Sequence, residues 1–139
     1  MQTDKFNIRV YGILINEQQQ VLVCDEIIKG YPITKFPGGG LEFGEGTIDC
    51  IKREFLEETN CEIEVVKHFY TTDFFQPSAF HPNHQVISIY YIVKPIKGFN
   101  IERTEAGINF RWVDIKIISA NDFTLPIDKI VGDMLIKNQ

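Results

Sequence analysis

Six residues between Gly39 and Glu58 carry the groups of this sequence that are best suited to chemistry on phosphates. They fit the pattern G-x5-E-x7-R-E-x-x-E-E, whose fixed positions hold Gly39, Glu45, Arg53, Glu54, Glu57 and Glu58. At average residue frequencies of about 5–7%, six fixed residues match by chance roughly once in 10⁷ windows. An acidic helix face alone is usually a solvated surface, but a joint pattern of this length indicates a functional site.

Glu54, Glu57 and Glu58 are spaced to share one patch on a helix, because residues three and four positions apart are neighbours there. Three carboxylates repel one another, and the helix dipole disfavours negative charge in the C-terminal half of a helix. Arg53 supplies one compensating charge. A hard divalent cation would supply more, and Mg²⁺ binds through one or two carboxylates together with substrate phosphates. We therefore expect a Mg²⁺ site here, with Mn²⁺ as a substitute.

A glycine-rich loop followed by a helix must position these groups. The loop follows a Pro-Gly turn signal at Pro37, and Thr47 has the hydroxyl expected of a helix N-cap. Asn60 stands where the helix must end, and asparagine tolerates the left-handed conformation used there. The apolar side of this helix is expected to face a core; it holds Ile48, Cys50, Ile51 and Phe55.

The pattern resembles the Nudix box, the signature of the Nudix hydrolase family. That box ends in glycine and an aliphatic residue, whereas this sequence has Asn60 and Cys61, which affects helix termination and leaves the carboxylates in place. The resemblance implies an α/β (α+β) fold class, an α/β/α sandwich with a mixed β-sheet between helices, as a single Nudix domain over residues 1–139. It also implies hydrolysis of a nucleoside diphosphate linked to another moiety, such as a nucleoside triphosphate, ADP-ribose or a nucleotide sugar.

The same resemblance implies roles for the residues of the box. Glu57 and Glu58 are expected to bind Mg²⁺, and Glu54 is a further ligand or the general base. The Gly39 carbonyl is expected to add a ligand, because a glycine lets the backbone approach closely.

Two further parts of the catalytic set concern the loop and the base. Glu45 is expected to pair with Arg53 and to hold the glycine-rich loop against the helix. A glutamate outside the box is the other candidate base. Glu105 is the first choice, because it precedes a predicted strand in a segment expected over the site, and Glu102 is the second.

Three residues outside the box are candidate substrate contacts. Arg9 lies in the first predicted strand and is either a surface charge or a contact for a phosphate or base. Lys35 leads into the box. Phe75 belongs to an aromatic loop with Phe74 and Phe80, where each ring either stacks on a base or packs the loop.

The histidines and cysteines do not indicate a metal site of their own. His81 and His84 have H-x-x-H spacing but lie in a proline-containing loop, where plain loop residues or substrate contacts are the favoured interpretations. Cys24, Cys50 and Cys61 show no C-x-x-C spacing, and an odd number without a framework is typical of a reducing, cytoplasmic compartment.

The remaining pattern predicts strands on both sides of the acidic helix and a helix at the end of the chain. The first two strands are expected to form a hairpin, and the strand at 85–94 to be buried on both faces. The predicted elements are strands at Phe6–Ile15, Val21–Cys24, Glu62–Thr71, Gln85–Lys94 and Asn109–Ile115, loops at Ile27–Lys35 and Thr72–Gln85, and a helix from Pro126.

Composition limits the partners. The 139 residues carry a formal net charge of −5, which disfavours binding to nucleic acid or to an anionic membrane. No signal peptide or membrane span is predicted, and the sequence leaves a homodimer open.

The competing functions are a non-catalytic nucleotide or ADP-ribose binding module, an RNA-end hydrolase, which would need a basic face, and a plain calcium-binding or structural acidic helix.

Overall fold

The computed structural model describes residues 2–100 and 107–137 of the chain. In these ranges the elements follow the order β1 (Lys5–Leu14), β2 (Gln20–Ile28), β3 (Tyr31–Lys35), β4 (Gly38–Gly40), α1 (Thr47–Thr59), β5 (Ile63–Thr71), β6 (His84–Pro95), β7 (Ile108–Asp114), a short 3-10 helix (Ala120–Asp122) and α2 (Pro126–Lys137). No helix of the described residues has the length and apolar character needed to cross a membrane.

The strands divide between two sheets. The first has the order β4-β1-β6-β5, and β1 and β6 run parallel from the pair Lys5–His84 to the pair Leu14–Val93. The other pairings in this sheet are antiparallel, so the predicted mixed sheet is confirmed. The second sheet, β3-β2-β7, is antiparallel and was not predicted.

The two helices cover opposite sides of the strands. Along β1, Val10 and Leu14 belong to the core around α1, whereas Tyr11 and Ile13 belong to the core that contains residues of α2. Because successive side chains of a strand point to opposite faces, this alternation places β1 between the two helices. The α+β class and the predicted layered arrangement of sheet and helices are thus confirmed.

The predicted hairpin of the first two strands is wrong. Asn16 turns the chain, its Oδ1 accepting from the backbone of Gln18 and Gln20 at 3.0 and 2.9 Å. Beyond one bridge between Ile15 and Val21, β2 leaves β1 and pairs with β3 and β7. Both edges of β1 are occupied by β4 and β6, so β2 cannot pair along it.

The predicted loop at Ile27–Lys35 is also wrong, because β2 and β3 form a hairpin there. Its two turn residues, Lys29 and Gly30, have φ of 50° and 84°. Two positive φ values suit the twist of a two-residue hairpin turn. The proline that suggested a loop, Pro32, lies on β3, an edge strand, where its missing N–H costs no ladder bond.

The acidic helix begins and ends with residues of special conformation. Thr47 is not the N-cap: it is the first helical residue, and its hydroxyl hydrogen-bonds to the Tyr91 hydroxyl at 2.7 Å. The carboxylate of Asp49 accepts instead from the N–H of Gly46 at 3.1 Å. Asn60 has φ 58° and donates its N–H to the Leu56 carbonyl, which confirms the predicted left-handed end.

The apolar stripe of α1 is narrower than predicted. Cys50, Ile51 and Phe55 are buried, but Ile48 is exposed. In β6, long stretches are only half-buried, contrary to the expected burial on both faces. Only Ser88, Tyr90 and Val93 of this strand are buried.

At Gly12, β1 packs directly against a ring of α1. A Cβ on this residue would lie 2.5 Å from the Phe55 ring. We expect Gly12→Ala to lower the free energy of unfolding by about 1–3 kcal/mol, because an extra methyl group must displace a packed ring. Urea denaturation should show this loss, and Gly98→Ala, which meets no atom within 4 Å, should not. Equal stabilities of the two variants would contradict the tight contact.

Candidate active site

Two glycines bring the backbone of β4 against its neighbours. Gly38 has φ 147°, and a Cβ there would lie 2.1 Å from the carbonyl oxygen of Val10. A Cβ on Gly39 would lie 2.5 Å from Oε1 of Glu54. Because glycine lacks a Cβ, the strand can pair with β1 on one side and contact the Glu54 carboxylate on the other.

Arg53 fixes the loop between β4 and α1. Its Nε and Nη2 donate to the two carboxylate oxygens of Glu45 at 3.0 and 2.8 Å, and Nη2 also donates to the Gly40 carbonyl at 3.1 Å. Hydrogen bonding to Arg53 lowers the pKa of Glu45 to about 2. Two parallel bonds of this kind define position as well as charge. The predicted Glu45–Arg53 pair therefore forms, while its part in catalysis stays a prediction.

The other side of Arg53 collects three further carboxylates. Nη1 lies 3.1 Å from Glu54, 3.3 Å from Glu57 and 3.7 Å from Glu42. The side chain of Glu57 is 57% exposed. Arg53 thus neutralises part of the acidic face, as the sequence indicated.

Glu58 differs from its neighbours because it points inward. The residue is 7% exposed, and its buried Oε2 has no hydrogen-bond partner among the described residues. Burial raises the pKa of Glu58 well above its usual range; Glu54 and Glu26 add to the rise, and Lys35 opposes it. An unpartnered buried carboxylate is costly, so this position calls for a cation or a proton.

The described residues fit a divalent metal, although not as three gathered carboxylates. Among them, no three His, Cys, Asp or Glu side chains stand together in a way that could hold a metal ion. Glu54 and Glu57 share Nη1 of Arg53 while Glu58 points inward, so a common metal site for the three carboxylates stays a prediction. Glu54 and Glu58 adjoin each other, beside the backbone of Gly39. Carboxylate and carbonyl oxygens are hard donors, which Mg²⁺ prefers along with phosphate oxygens.

Two cations stand next to this acidic group. Lys35 is 4% exposed; its Nζ lies 3.2 Å from Glu26 and 3.4 Å from the Gly38 carbonyl oxygen. Arg9 donates from Nε to the Tyr11 hydroxyl at 2.7 Å. Arg9 forms no ion pair within 4.0 Å in the described part of the chain. Its remaining N–H groups are thus available to an anion.

A cavity of about 470 Å³ opens beside these cations. It lies between β1, β6, the β2–β3 turn, the loop before β6 and the start of α2. Its size is within the range of small-molecule sites. Its lining includes Arg9, Tyr11, Lys35, Ser88, Tyr90 and Asp128.

The structure brings some of the predicted substrate contacts together and separates others. Arg9 and Lys35 line the cavity, as do Phe80 and His81. Phe75 is 61% exposed and lies outside the lining, so it does not join Arg9 and Lys35 there. The candidate bases Glu102 and Glu105 lie outside the described residues.

Sequence reasoning missed Asp128 and Tyr90, which line the cavity and hydrogen-bond to each other. A signal was present in α2. Asp128, Val131 and Leu135 follow the spacing of one buried helix face, and all three are buried. A carboxylate at an apolar stripe position was therefore the indication of a functional group.

Comparisons with known proteins agree on one family and fold. A model of the NUDIX domain matches residues 5–132. A NUDIX hydrolase from Nitrosomonas europaea is 22% identical with TM-score 0.74, over 96% of this chain and 88% of that one. The MutT protein from Methanosarcina mazei Go1 is 17% identical with TM-score 0.74, over 99% and 98%. A UDP-X diphosphatase is 19% identical with TM-score 0.61, over 99% and 62%. At these identities the structural matches show a shared fold.

Proposed function

Because the chain belongs to the Nudix family, we propose that it is a Mg²⁺-dependent hydrolase of a pyrophosphate bond in a nucleoside diphosphate linked to another moiety. A nucleoside triphosphate, ADP-ribose or a nucleotide sugar fits this description. The observation that carries the proposal is the buried, unpartnered carboxylate oxygen of Glu58 beside Glu54, next to a cavity lined by Arg9 and Lys35.

Glu54 and Glu58 would hold the metal, with the Gly39 carbonyl as a further ligand and Glu57 on the solvent side. When bound, Mg²⁺ neutralises phosphate charge and lowers the pKa of a coordinated water. Arg53 keeps Glu54 and the loop in place through the contacts described above. Glu54, or Glu105 from outside the described residues, is proposed as the general base.

Arg9 and Lys35 would orient the substrate's phosphates. Burial alone would lower the pKa of Lys35, but Tyr11, Glu58 and Glu26 raise it above its usual value, so the ammonium group is charged. Within the described residues, Arg9 donates to one hydroxyl at the cavity wall and pairs with no carboxylate. Charged donors form stronger hydrogen bonds with phosphate oxygens than neutral donors do. These two residues would thus orient a bound phosphate chain so that it runs from the acidic helix into the cavity.

A nucleotide-binding module without catalysis is the second candidate. The observation that favours it is the lack of three gathered metal-binding side chains in residues 2–100 and 107–137. The names of the similar structures, a MutT protein and a UDP-X diphosphatase, favour hydrolysis instead. The single-domain organisation over residues 1–139 and the cytoplasmic location stay predictions.

The test is phosphate release, coupled through a phosphatase, over nucleoside triphosphates, ADP-ribose, nucleotide sugars and dinucleoside polyphosphates. We expect turnover of at least one compound with Mg²⁺ and none after its removal by EDTA, because the phosphate charge is then not neutralised. Glu17→Gln, a change of an exposed turn residue, is the matched control and should keep full activity. If no compound turns over but one raises the melting temperature, the binding module replaces the hydrolase.

A further inference from the structure

The cavity carries positive charge in a protein whose formal net charge is −5. Its lining contains Arg9, Lys29, Lys35 and His81, and Asp128 is the one carboxylate among the lining residues that the structure describes. A cleft lined by charge of one sign attracts ligands of the opposite sign. In the proposed function Arg9 and Lys35 bind the pyrophosphate, so Lys29 and His81 remain without a role.

Lys29 and His81 come from two segments that meet at the outer end of the cavity. Both residues are exposed, whereas Lys35 and Asp128 are buried. Lys29 lies in the β2–β3 turn, and its Nζ donates to the carbonyl of Phe80, the residue before His81, at 2.6 Å. An ammonium group has three donors, and in the described part of the chain this contact uses one of them. The others can serve a ligand.

His84 faces the same side of the sheet as the cavity residues of β6. Side chains two positions apart along a strand share a face, and Val86, Ser88 and Tyr90 line the cavity. The centroid of the His84 ring lies 5.3 Å from that of His81. The Nδ1 atom of His84 is buried and has no hydrogen-bond partner among the described residues, so it calls for a partner from outside the chain.

The groups around His81 repel one another. The pKa of His81 is lowered first by desolvation and then by the positive charges of Lys29, His84 and Arg9. Asp4, which precedes β1, already accepts from a neighbouring side-chain amide. An anion bound among these groups would relieve their repulsion, because an opposite charge favours the charged form of each.

Lys29, His81 and His84, here termed the outer basic group, stand apart from the proposed pyrophosphate site. Arg9 pairs with Ser88 in the register of β1 and β6, four residues from His84. At about 3.3 Å per residue, His84 lies roughly 13 Å along the strand from the level of Arg9. A pyrophosphate held by Arg9 and Lys35 does not extend that far. An anion at the outer basic group therefore belongs to another part of the ligand.

We propose that the outer basic group binds a second phosphate of the substrate, carried by the part of the molecule remote from the pyrophosphate that is cleaved. A phosphate monoester fits, because its oxygens accept hydrogen bonds from an ammonium group and from imidazole N–H groups. The inference rests on the proposed function, since it names the substrate class of that site as nucleotides with an additional phosphate, for example on the ribose. Free phosphate has the same chemistry and is tested separately.

The test uses two pairs of ligands that differ only in the additional phosphate: ADP-ribose with ADP-ribose 2′-phosphate, and ADP with adenosine 3′-phosphate 5′-diphosphate. Binding to the metal-free protein is measured by calorimetry, and inorganic phosphate is the probe for the free anion. We expect the phosphorylated member of at least one pair to bind about tenfold or more tightly than its partner. Inorganic phosphate alone should bind more weakly than that member.

Variants of the outer basic group assign this gain in affinity to its residues. Lys29→Ala and His81→Ala should each remove most of the gain while changing the affinity for the unmodified ligand less than twofold. Lys29→Arg keeps the charge and should keep most of the gain. His81→Ala leaves the contact between Lys29 and Phe80 in place, so its effect is separate from a moved turn. Lys116→Ala, a change of an exposed lysine after β7, is the matched control.

Equal binding of both members in both pairs by the wild-type protein overturns the proposal, whether or not the variants fold. A gain that survives in folded Lys29→Ala and His81→Ala also overturns it. Saturable binding of inorganic phosphate without a gain in either pair does so too, because the site then takes the free anion. A gain without Mg²⁺-dependent turnover of any ligand would keep the second-phosphate site and reject the hydrolase. Turnover without a gain would do the opposite.

Discussion

Glu58→Gln is expected to lower turnover by about 10³-fold and, at the same time, to stabilise the metal-free protein. The loss corresponds to about 4 kcal/mol of transition-state stabilisation, the order expected of a metal site that neutralises phosphate charge. The gain in stability of the metal-free protein has a separate cause. In the wild-type protein the carboxylate of Glu58 is buried, and one of its oxygens has no partner within the part of the chain that the structure describes. Glutamine removes that charge with little change of shape.

How this gain in stability changes with pH follows from the raised pKa of Glu58. A carboxyl group whose pKa is raised by folding favours the folded state below its ordinary pKa, and this contribution is lost as pH rises through the folded value. The stability difference between Glu58→Gln and wild type should therefore be near zero at about pH 4 and grow toward alkaline pH.

Urea denaturation with EDTA across this pH range, together with the coupled phosphate assay, checks both effects of Glu58→Gln. Glu57→Gln is the stability control, because it removes the same charge from an exposed side chain and should bring no gain. Full activity in Glu58→Gln would remove it from the metal site. A stability loss at alkaline pH would show that its carboxylate has a partner in solution.

Local features of the site were predictable from sequence because their causes are local. The Glu45–Arg53 pair depends on one loop and two helix turns, and the left-handed Asn60 depends on helix termination alone. The N-cap was wrong for an equally local reason. Gly46 adopts the extended conformation of a cap, Asp49 supplies the acceptor, and Thr47 is drawn into a bond with Tyr91 on another element.

The cavity depends on contacts that spacing does not encode. Arg9, Tyr90 and Asp128 come from β1, β6 and α2, and they meet only because β1 pairs in parallel with β6. The same topology explains the wrong hairpin, since β1 has no free edge for β2. Hydrophobic pattern predicts which residues are inside, whereas strand order decides which of the inside residues face one another.

Arg53→Ala is expected to reduce turnover by about 10²-fold without preventing folding. Arg53 is the shared donor to Glu45, Glu54, Glu57 and the Gly40 carbonyl. Its loss frees the loop and leaves the carboxylates without their counter-charge, and a displacement of about 1 Å at a reacting centre can cost 10²-fold. The fold should persist because partly exposed ion pairs contribute little to stability.

Arg53→Lys separates charge from geometry. Lysine keeps the positive charge but cannot donate two parallel bonds to Glu45, so activity between those of the wild type and Arg53→Ala is expected. NMR titration gives a readout independent of turnover: the pKa of Glu45, about 2 beside Arg53, should return toward its ordinary range in Arg53→Ala. Full activity in Arg53→Ala would show that the loop keeps its position without this residue. A low Glu45 pKa in that variant would show that another group holds the carboxylate. If both variants lose activity equally while the pKa recovers only in Arg53→Ala, the two bonds, and not the charge, position the loop.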